Sequence, residues 1–287
     1  MTFYRQLSSA VIIASLLMSC NADKKKLSQN NGARYDVLEP YIIKLPAALA
    51  EISGLNYYAK DTSVFAIVDE DGILYKIHLN KNKTIKQWNF GKRHDFEDVV
   101  LHDSTFYVLV SNGNIESLKF TGGDTIVAGK SKFPEADKAA REFESMYYDD
   151  SLKLLVLLCK NCEDDNKKKV TAFGYNISSK TYVPFVYDID VEPIAKKLGL
   201  KKLRLKPSAV AINPITNELY ILASINHLIV VTDRQGRFRE LYQLDPGIYN
   251  QPEGIAFTPS GDMIISNEAS EVRLATILII KNKKKGL

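Results

Sequence analysis

The chain has 287 residues, of which 45% are apolar and 25% are charged, and it contains 15 glycines and 10 prolines. This composition supports a buried core and excludes a wholly disordered chain, a collagen-like chain and a membrane protein with several spans. The net charge of +4 is small, and seven lysines near the two ends account for more than all of it. The body of the chain therefore has no excess of positive charge that would favour binding to nucleic acid.

The N-terminal segment has the features of a signal peptide. Arg5 precedes an apolar stretch at 10–18 that is about half as long as a membrane-spanning helix. The stretch ends in the sequence LMSC at 17–20, which resembles the lipobox of bacterial lipoproteins, where the cysteine is acylated and becomes the new N-terminus. The resemblance predicts a signal peptide over 1–19, lipidation of Cys20 and a polar tether over 20–34. The alternative is an ordinary secretory signal with an incidental cysteine.

The resemblance to lipoproteins also implies a cellular location. The anchor would hold the protein in a bacterial cell envelope. Asn21 follows the cysteine, where an aspartate would favour the inner membrane, so we expect the outer membrane, facing the periplasm.

A five-fold internal repeat indicates the fold. Each copy has an apolar residue or proline, then serine or glutamate, then usually a small residue, then an apolar residue. The serine or glutamate positions, at intervals of 44, 47, 64 and 45, are Ser53, Glu97, Glu144, Ser208 and Glu253. β-Prone runs separated by turns follow each copy. Four strands in a unit of about 45 residues are typical of one blade of a β-propeller.

Two irregularities of the repeat are consistent with that fold. The longest interval contains an insertion at 191–201, where Pro193 and Gly199 predict a short helix. The fifth unit stops after its third strand, at 274–280, and a strand at 37–45 supplies the missing fourth one, which closes the ring and removes exposed sheet edges. We therefore predict an all-β, five-bladed β-propeller over 35–280, closed by an N-terminal strand, with a basic tail over 281–287. Two stacked β-sandwich domains are the alternative.

The propeller geometry directs polar residues to one mouth of its central channel. The repeated serine or glutamate opens the first strand of each blade, and the antiparallel second strand ends at the same mouth. We expect a ligand to bind there, at Ser53, Ser111, Ser208, Ser224 and Glu268. Three glutamates around one axis would repel by about 3 kcal/mol for each pair at about 6 Å and an effective dielectric constant near 20.

A hard cation would relieve this repulsion. Ca²⁺ takes six to eight oxygen ligands, and the predicted ligands are Glu97, Glu144, Glu253, Asp69 and Asn267. Raised carboxyl pKa values, neutralisation by Arg93, Arg141 or Lys206, and carboxylates that turn toward backbone amides are the alternatives.

Apart from Cys20, the chain has two cysteines, Cys159 and Cys162. Their spacing suits a redox pair or half of a zinc site, but no second pair of ligands and no thioredoxin-like context accompany them. In an exported protein this spacing favours a local disulfide or two unpaired thiols.

The repeated phrases resemble the SdiA-regulated (YjiK-like) family, which is distantly similar to NHL-repeat propellers. The segments that carry the resemblance are PSAVAINP at 207–214, LYILAS at 219–224, QPEGIAF at 251–257 and ISNE at 265–268. The resemblance implies a five-bladed propeller with a calcium site and no established activity. The acidic positions that correspond to the family pattern are Asp69, Glu70, Glu97, Glu144, Glu253 and Glu268. This chain departs from the family pattern at Asn112 and Lys160, which replace glutamate, and at Asp98 and Ser145, which replace glycine.

These observations predict a monomeric binding module that is held at the membrane by its N-terminal lipid. Its ligand at the propeller mouth would be a small molecule or a protein, with no role for nucleic acid. The alternative function is a Ca²⁺-dependent hydrolase of an ester, lactone or phosphoester, of the NHL or gluconolactonase-like type, for which His94 is the candidate general base.

Overall fold

The structure, a computed structural model, describes residues 33–80, 84–122, 125–134, 141–165 and 167–284. The predicted signal peptide, the predicted lipidation site Cys20 and the tether up to residue 32 lie outside these ranges. In the part of the chain that is described, no helix is long and apolar enough to cross a membrane.

The strands of the described ranges form five antiparallel four-stranded sheets, which we number as blades I to V. Blade I contains β2 (Ile52–Tyr58), β3 (Ser63–Val68), β4 (Ile73–His78) and β5 (Ile85–Asn89). Blade II contains β6 (Phe96–His102), β7 (Thr105–Val110), β8 (Ile115–Gly122) and β9 (Thr125–Ser131). Blade III contains β10 (Arg141–Asp149), β11 (Leu154–Cys162), β12 (Lys169–Asn176) and β13 (Thr181–Asp190).

The last two blades complete the ring. Blade IV contains β14 (Ala209–Ile212), β15 (Leu219–Ala223), β16 (Leu228–Thr232) and β17 (Phe238–Gln243). Blade V contains β18 (Pro252–Phe257), β19 (Met263–Asn267), β20 (Thr276–Ile280) and β1 (Tyr41–Lys44). The first strands β2, β6, β10, β14 and β18 contact one another in that order, and β18 contacts β2. The predicted five-bladed propeller is confirmed.

The N-terminal strand closes the ring as predicted, although it is shorter than the expected range of 37–45. β1 pairs with β20 in antiparallel register, with Tyr41 opposite Ile279. The predicted insertion is the helix α1 (Glu192–Lys197), which has proline in its first turn. Gly199 follows with φ of +70°, a left-handed conformation that glycine adopts without strain at the end of a helix. Two short 3₁₀ helices lie at Ala47–Leu49 and Glu163–Asp165.

The hydrophobic core lies between neighbouring blades. Every residue of β3, β15 and β19 is buried, which explains why these second strands are continuous apolar runs instead of alternating ones. Ile67 of blade I and Val108 of blade II belong to one buried cluster, and Leu158 of blade III and Ile221 of blade IV belong to another. Each blade is therefore stabilised by the apolar faces of its neighbours.

The C-terminal segment after β20 contacts the start of the domain. Tyr35 forms an isolated antiparallel bridge with Asn282. The Nζ atoms of Lys281 and Lys283 lie 2.7 Å from carboxylate oxygens of Asp262 and Asp36, respectively. These contacts attach residues 281–284, which the sequence analysis assigned to a basic tail, to the propeller.

Candidate functional site

β-Bulges occur at the repeated position of several blades. Glu97 is an extra residue between two register pairs of β6, and Glu144 and Glu253 are the corresponding extra residues of β10 and β18. In β2 the irregularity includes Ser53. A bulge leaves a residue out of the ladder and changes the direction of its side chain. The bulges therefore release these side chains from the regular alternation between the two faces of a strand.

Carboxyl groups from blades I, II and V meet at one end of the channel. We call this group the acidic mouth, and its members are Glu51, Asp69, Asp95, Glu97, Glu253 and Glu268. Asp69 follows β3 and shares a hydrogen bond with Glu51, which precedes β2. Glu253 and Asp69 both interact electrostatically with Glu97 and with Glu268, so residues of three blades act on one another.

Two members of the mouth were missed by the sequence analysis. Glu51 and Asp95 occupy the first position of their repeated phrases, two residues before the serine or glutamate. Gln251 holds the same position in blade V and hydrogen-bonds the carboxylate of Glu268. The acidic or amide character of this first position was a usable signal, because it recurs in four of the five phrases, with Lys206 as the exception.

Burial and mutual repulsion raise the pKa values at the mouth. Burial, followed by the charge of Asp95, raises the pKa of Glu97 to about 9. Burial, followed by the charges of Glu253 and Asp69, raises the pKa of Glu268 to about 8. Both carboxyl groups are therefore mainly protonated at neutral pH in the absence of a bound cation.

Two further carboxyl groups of the mouth have smaller pKa shifts. Burial raises the pKa of Glu253 to about 7, while its hydrogen bond with Ser224, the charge of Lys160 and a hydrogen bond with Ser208 act in the opposite direction. Burial and the neighbouring Glu51 raise the pKa of Asp69 to about 6. The mouth thus contains groups that titrate across the range from about 6 to 9.

Lys160 supplies a positive charge at this end of the channel. It is an extra residue in β11, its Nζ atom forms an ion pair with Glu144, and it lies 3.3 Å from a carboxylate oxygen of Glu142. The side chains of Lys160 and Glu144 are only 15% and 12% exposed. Lys160 also lowers the pKa of Glu97 and of Glu253. The predicted ligand Glu144 is therefore already paired with a cation from its own blade.

Two of the basic residues considered from sequence, Arg93 and Arg141, contact other groups. Arg93 pairs with Glu70 and lies 3.8 Å from Asp71, although its charge also lowers the pKa of Asp69. The guanidinium of Arg141 lies 5.1 Å from the ring centroid of Phe173.

Some of the predicted mouth serines connect neighbouring blades. The hydroxyl of Ser53 donates to the carbonyl of Glu97 at 2.7 Å, and that of Ser208 donates to the carbonyl of Pro252 at 3.0 Å. Ser111 is held through its backbone, since its N–H donates to the carbonyl of Asp95 at 3.0 Å. Ser53 and Ser208 are buried, so their first role is to fix the spacing between blades.

Two oxygens among the predicted metal ligands have no hydrogen-bond partner. Oδ1 of Asp69 and Oδ1 of Asn267 are both buried and unpaired, although Nδ2 of Asn267 donates to the carbonyl of Ile248 at 2.9 Å. Leaving a buried acceptor unpaired costs about 1–3 kcal/mol. These oxygens, together with the carboxylates of the mouth, form a donor set that suits a hard cation.

The predicted ligands do not form a compact cage. Among the described residues, the group of three acidic, histidine or cysteine ligand atoms that lie within 4.8 Å of one another is Cys159, Cys162 and Asp165. The two cysteines of that group form a disulfide, which decides between the two possibilities left open by the sequence. A cation at the acidic mouth would therefore have to draw its carboxylates closer together.

Comparisons with known proteins support the fold. No protein-family model matches the sequence, and no curated protein matches it. A solved structure of luciferin-regenerating enzyme is 11% identical with a TM-score of 0.55, over 87% of this chain and 98% of that one. Glutaminyl cyclase of Myxococcus xanthus is 12% identical with a TM-score of 0.54, over 84% and 96%.

A third solved structure is similar to the same extent. The calcium-binding protein regucalcin of Agrobacterium tumefaciens is 11% identical with a TM-score of 0.52, and the match covers 89% of this chain and 97% of that one. At such low identity these likenesses establish a shared propeller architecture and nothing about activity.

Proposed function

We propose that this protein is a binding module of the cell envelope whose acidic mouth takes a positively charged ligand, with Ca²⁺ as the first candidate. The observation that carries the proposal is the meeting of six carboxyl groups from three blades at one end of the channel. Lys160 is already paired with Glu144, so the mouth retains an excess of negative charge that an external cation would balance.

The residues that would hold Ca²⁺ are a revised set. Asp69, Glu97, Glu253 and Glu268 supply carboxylates, and Asn267 supplies an amide oxygen without a partner. Glu144 is not included among the proposed ligands because its carboxylate is paired with Lys160. A bound calcium ion would act as a Lewis acid toward an oxygen of a ligand. The chain's own contribution is to gather the oxygens and to release protons from the raised-pKa carboxyl groups when the cation binds.

Calcium titration by calorimetry and by thermal shift tests this proposal. We expect binding that tightens between pH 6.5 and pH 8.5, with proton release, because Glu97 and Glu268 have pKa values of about 9 and 8. Glu253→Gln should weaken binding about tenfold or more, whereas Glu39→Gln, an exposed carboxylate on the N-terminal segment, should not change it. Absence of binding at millimolar Ca²⁺ and pH 8.5 would refute the calcium site.

A second candidate is the Ca²⁺-dependent hydrolase. Carboxyl groups that titrate near neutrality suit general acid–base chemistry, and Glu268, with a pKa of about 8, is half-buried at the mouth. Two of the proteins with similar structures are enzymes by name, glutaminyl cyclase and luciferin-regenerating enzyme. His94, the candidate base from sequence, is exposed and its Nδ1 accepts a hydrogen bond from the Asp95 amide, so the carboxyl groups are the better candidates.

A substrate panel separates the two functions. Esters, lactones and phosphoesters would be incubated with the protein with and without Ca²⁺. Hydrolysis that is lost both on chelation and in Glu268→Gln would support the enzyme. Calcium binding without hydrolysis of any of these substrate classes would support the binding module.

We further propose export, lipidation of Cys20 and attachment to the outer membrane, facing the periplasm, as a monomer. The LMSC sequence supports the anchor, and the Cys159–Cys162 disulfide is consistent with an oxidising compartment. The repeated phrases support a divergent relationship to the SdiA-regulated family. Cys20→Ala should move the protein from the membrane fraction to the soluble fraction, and unchanged membrane association would count against lipidation.

A further inference from the structure

An apolar groove lies beside the acidic mouth. One wall contains Pro46, Ala47 and Ala50, and the other is the loop at 269–275 between β19 and β20. In that loop Val272 is 87% exposed and Leu274 is 56% exposed. The amide of Ala269 donates to the carbonyl of Ala50 at 2.7 Å and joins the two walls at the end of the groove.

The groove is continuous with the mouth through the chain itself. Ala50 immediately precedes Glu51, and Ala269 immediately follows Glu268, so each wall leads directly to a carboxylate of the mouth. The charge of Glu51 contributes to the raised pKa of Glu268, which shows that the two groups interact. The amide of Asp69 donates to the carbonyl of Glu51 at 3.3 Å and attaches the next carboxylate to the same end.

The charged residues that line the groove do not cancel the negative charge of the acidic mouth. Arg273 lines the groove, and its guanidinium donates to the carbonyl of Gly247 at 2.6 Å. Glu271 also lines the groove, and its negative charge offsets the positive charge of Arg273. An occupant therefore meets negative charge at one end and exposed aliphatic side chains along the loop.

We propose that mouth and groove together bind an organic cation with an aliphatic body, with a primary alkylammonium as the simplest representative. Its ammonium group lies between the carboxylates of Glu51 and Glu268, and its chain packs along Val272 and Leu274. This inference rests on the proposed function in one respect, namely that the mouth attracts cations. It adds that the groove selects cations with an aliphatic body. Charge complementarity at the mouth and the exposed aliphatic loop beside it are the reasons for choosing this occupant.

The proposal predicts how affinity depends on the length of the alkyl chain of the ligand. Each methylene group removed from water contributes a factor of about three to four in affinity. Hexylammonium should therefore bind about 30-fold more tightly than propylammonium. Hexanol, which has the same chain without the charge, should bind much more weakly than hexylammonium.

The test uses these three probes on the whole protein at pH 8.5, by calorimetry or by competition, with Ca²⁺ titrated separately. Val272→Ser should weaken the binding of hexylammonium about fivefold and leave the binding of propylammonium and of Ca²⁺ unchanged. The matched control is Val127→Ser, which changes an equally simple exposed valine on β9 and should have no effect. Glu268→Gln should weaken the binding of both hexylammonium and Ca²⁺.

The outcomes distinguish this inference from the calcium site. Calcium binding together with an ammonium affinity that is independent of chain length would overturn the groove and leave the calcium proposal intact. Affinity that depends on chain length and on Val272, without calcium binding, would support the groove and overturn the calcium site. Hexanol binding as tightly as hexylammonium would overturn the role of the carboxylates, and no binding of any of the three organic probes would overturn the groove, whether or not Ca²⁺ binds.

Discussion

Glu97 shows how burial and position determine the chemistry of a single carboxyl group at the mouth. Its bulge takes it out of the ladder of β6, and burial together with Asp95 raises its pKa to about 9. An ordinary glutamate in the unfolded chain titrates near 4.3. The folded protein therefore keeps a proton on this group over a wide range of pH in which the unfolded chain has lost it.

This difference predicts a pH-dependent effect of Glu97→Gln. Because the folded pKa is raised, the stability associated with the protonated group is fully present below about pH 4.3 and is lost as pH rises through about 9. Glutamine carries no charge at any pH, so the substitution should raise the free energy of unfolding by up to about 5 kcal/mol at pH 9 relative to its effect at pH 5. Urea unfolding at both pH values measures this, with Glu39→Gln as the control. An equal effect at both pH values would contradict the raised pKa.

Lys160 is the second residue that determines the charge of the mouth. Lys160→Met should lower the free energy of unfolding by about 2 kcal/mol at pH 8, because it leaves the poorly exposed Glu144 without its partner. Adding Glu144→Gln should restore much of this loss. Lys169→Met, which removes a partly exposed lysine 3.3 Å from Asp188, should lower the free energy of unfolding by less than about 1 kcal/mol. If the double variant is no more stable than Lys160→Met, the pair is not the reason for the loss.

At the scale of secondary-structure elements, the close approach of neighbouring first strands explains the small residues after the repeated position. A Cβ atom on Gly54 would lie 2.5 Å from the Cα atom of Asp98 in the next blade. Blade II has Asp98 in place of glycine, and its carboxylate accepts hydrogen bonds from the amides of Val99 and Met146, both at 2.8 Å. Glycine makes room for the next blade, whereas aspartate bridges to it.

This contact predicts different results for two glycine substitutions. Gly54→Ala should destabilise the protein by about 2 kcal/mol or more, because backbone atoms of the next blade must move. Gly91→Ala should change stability by no more than about 0.5 kcal/mol, since the nearest atom to its added Cβ lies 3.8 Å away. Thermal unfolding of the two variants measures the difference. Equal stability would mean that the blades accommodate the methyl group by a small shift.

At the scale of the whole molecule, closure of the ring depends on the N-terminal strand. β1 provides the outer strand of blade V, and Ile43 is the buried residue among its four. Ile43 is 2% exposed and belongs to the cluster between blades V and I, whereas its neighbour Ile42 is 50% exposed. The strand therefore contributes to the core mainly through Ile43.

The two isoleucines provide a matched test of closure. Ile43→Ala should lower the free energy of unfolding by about 2–4 kcal/mol, and Ile42→Ala should change it by less than about 1 kcal/mol. Urea unfolding measures both variants. Similar losses for both would show that the hydrogen bonds of β1 matter more than its packing, and no loss for Ile43→Ala would show that the ring does not depend on this strand.

The architecture followed from the sequence because its signals are local and repeated. β-Prone runs such as 219–223, turns such as 213–217 and the spacing of the repeated phrases do not depend on distant contacts. The closing strand and the short helix were also predictable, one from the incomplete fifth unit and the other from Pro193 and Gly199. The convergence of Glu97 and Glu253 on one mouth followed from strand direction alone.

The tertiary structure decided the properties that depend on burial and on the register between strands. The pairing of Lys160 with Glu144 needs a bulge on each of two neighbouring strands, and no local pattern encodes such a coincidence. The pKa of Glu97 depends on solvent exclusion by surrounding blades, and the groove beside Glu268 depends on a loop that packs against residues more than 200 positions away in the chain. A sequence repeat specifies which residues approach the axis, but only the packed ring determines the atomic distances and the exclusion of water that set their chemistry.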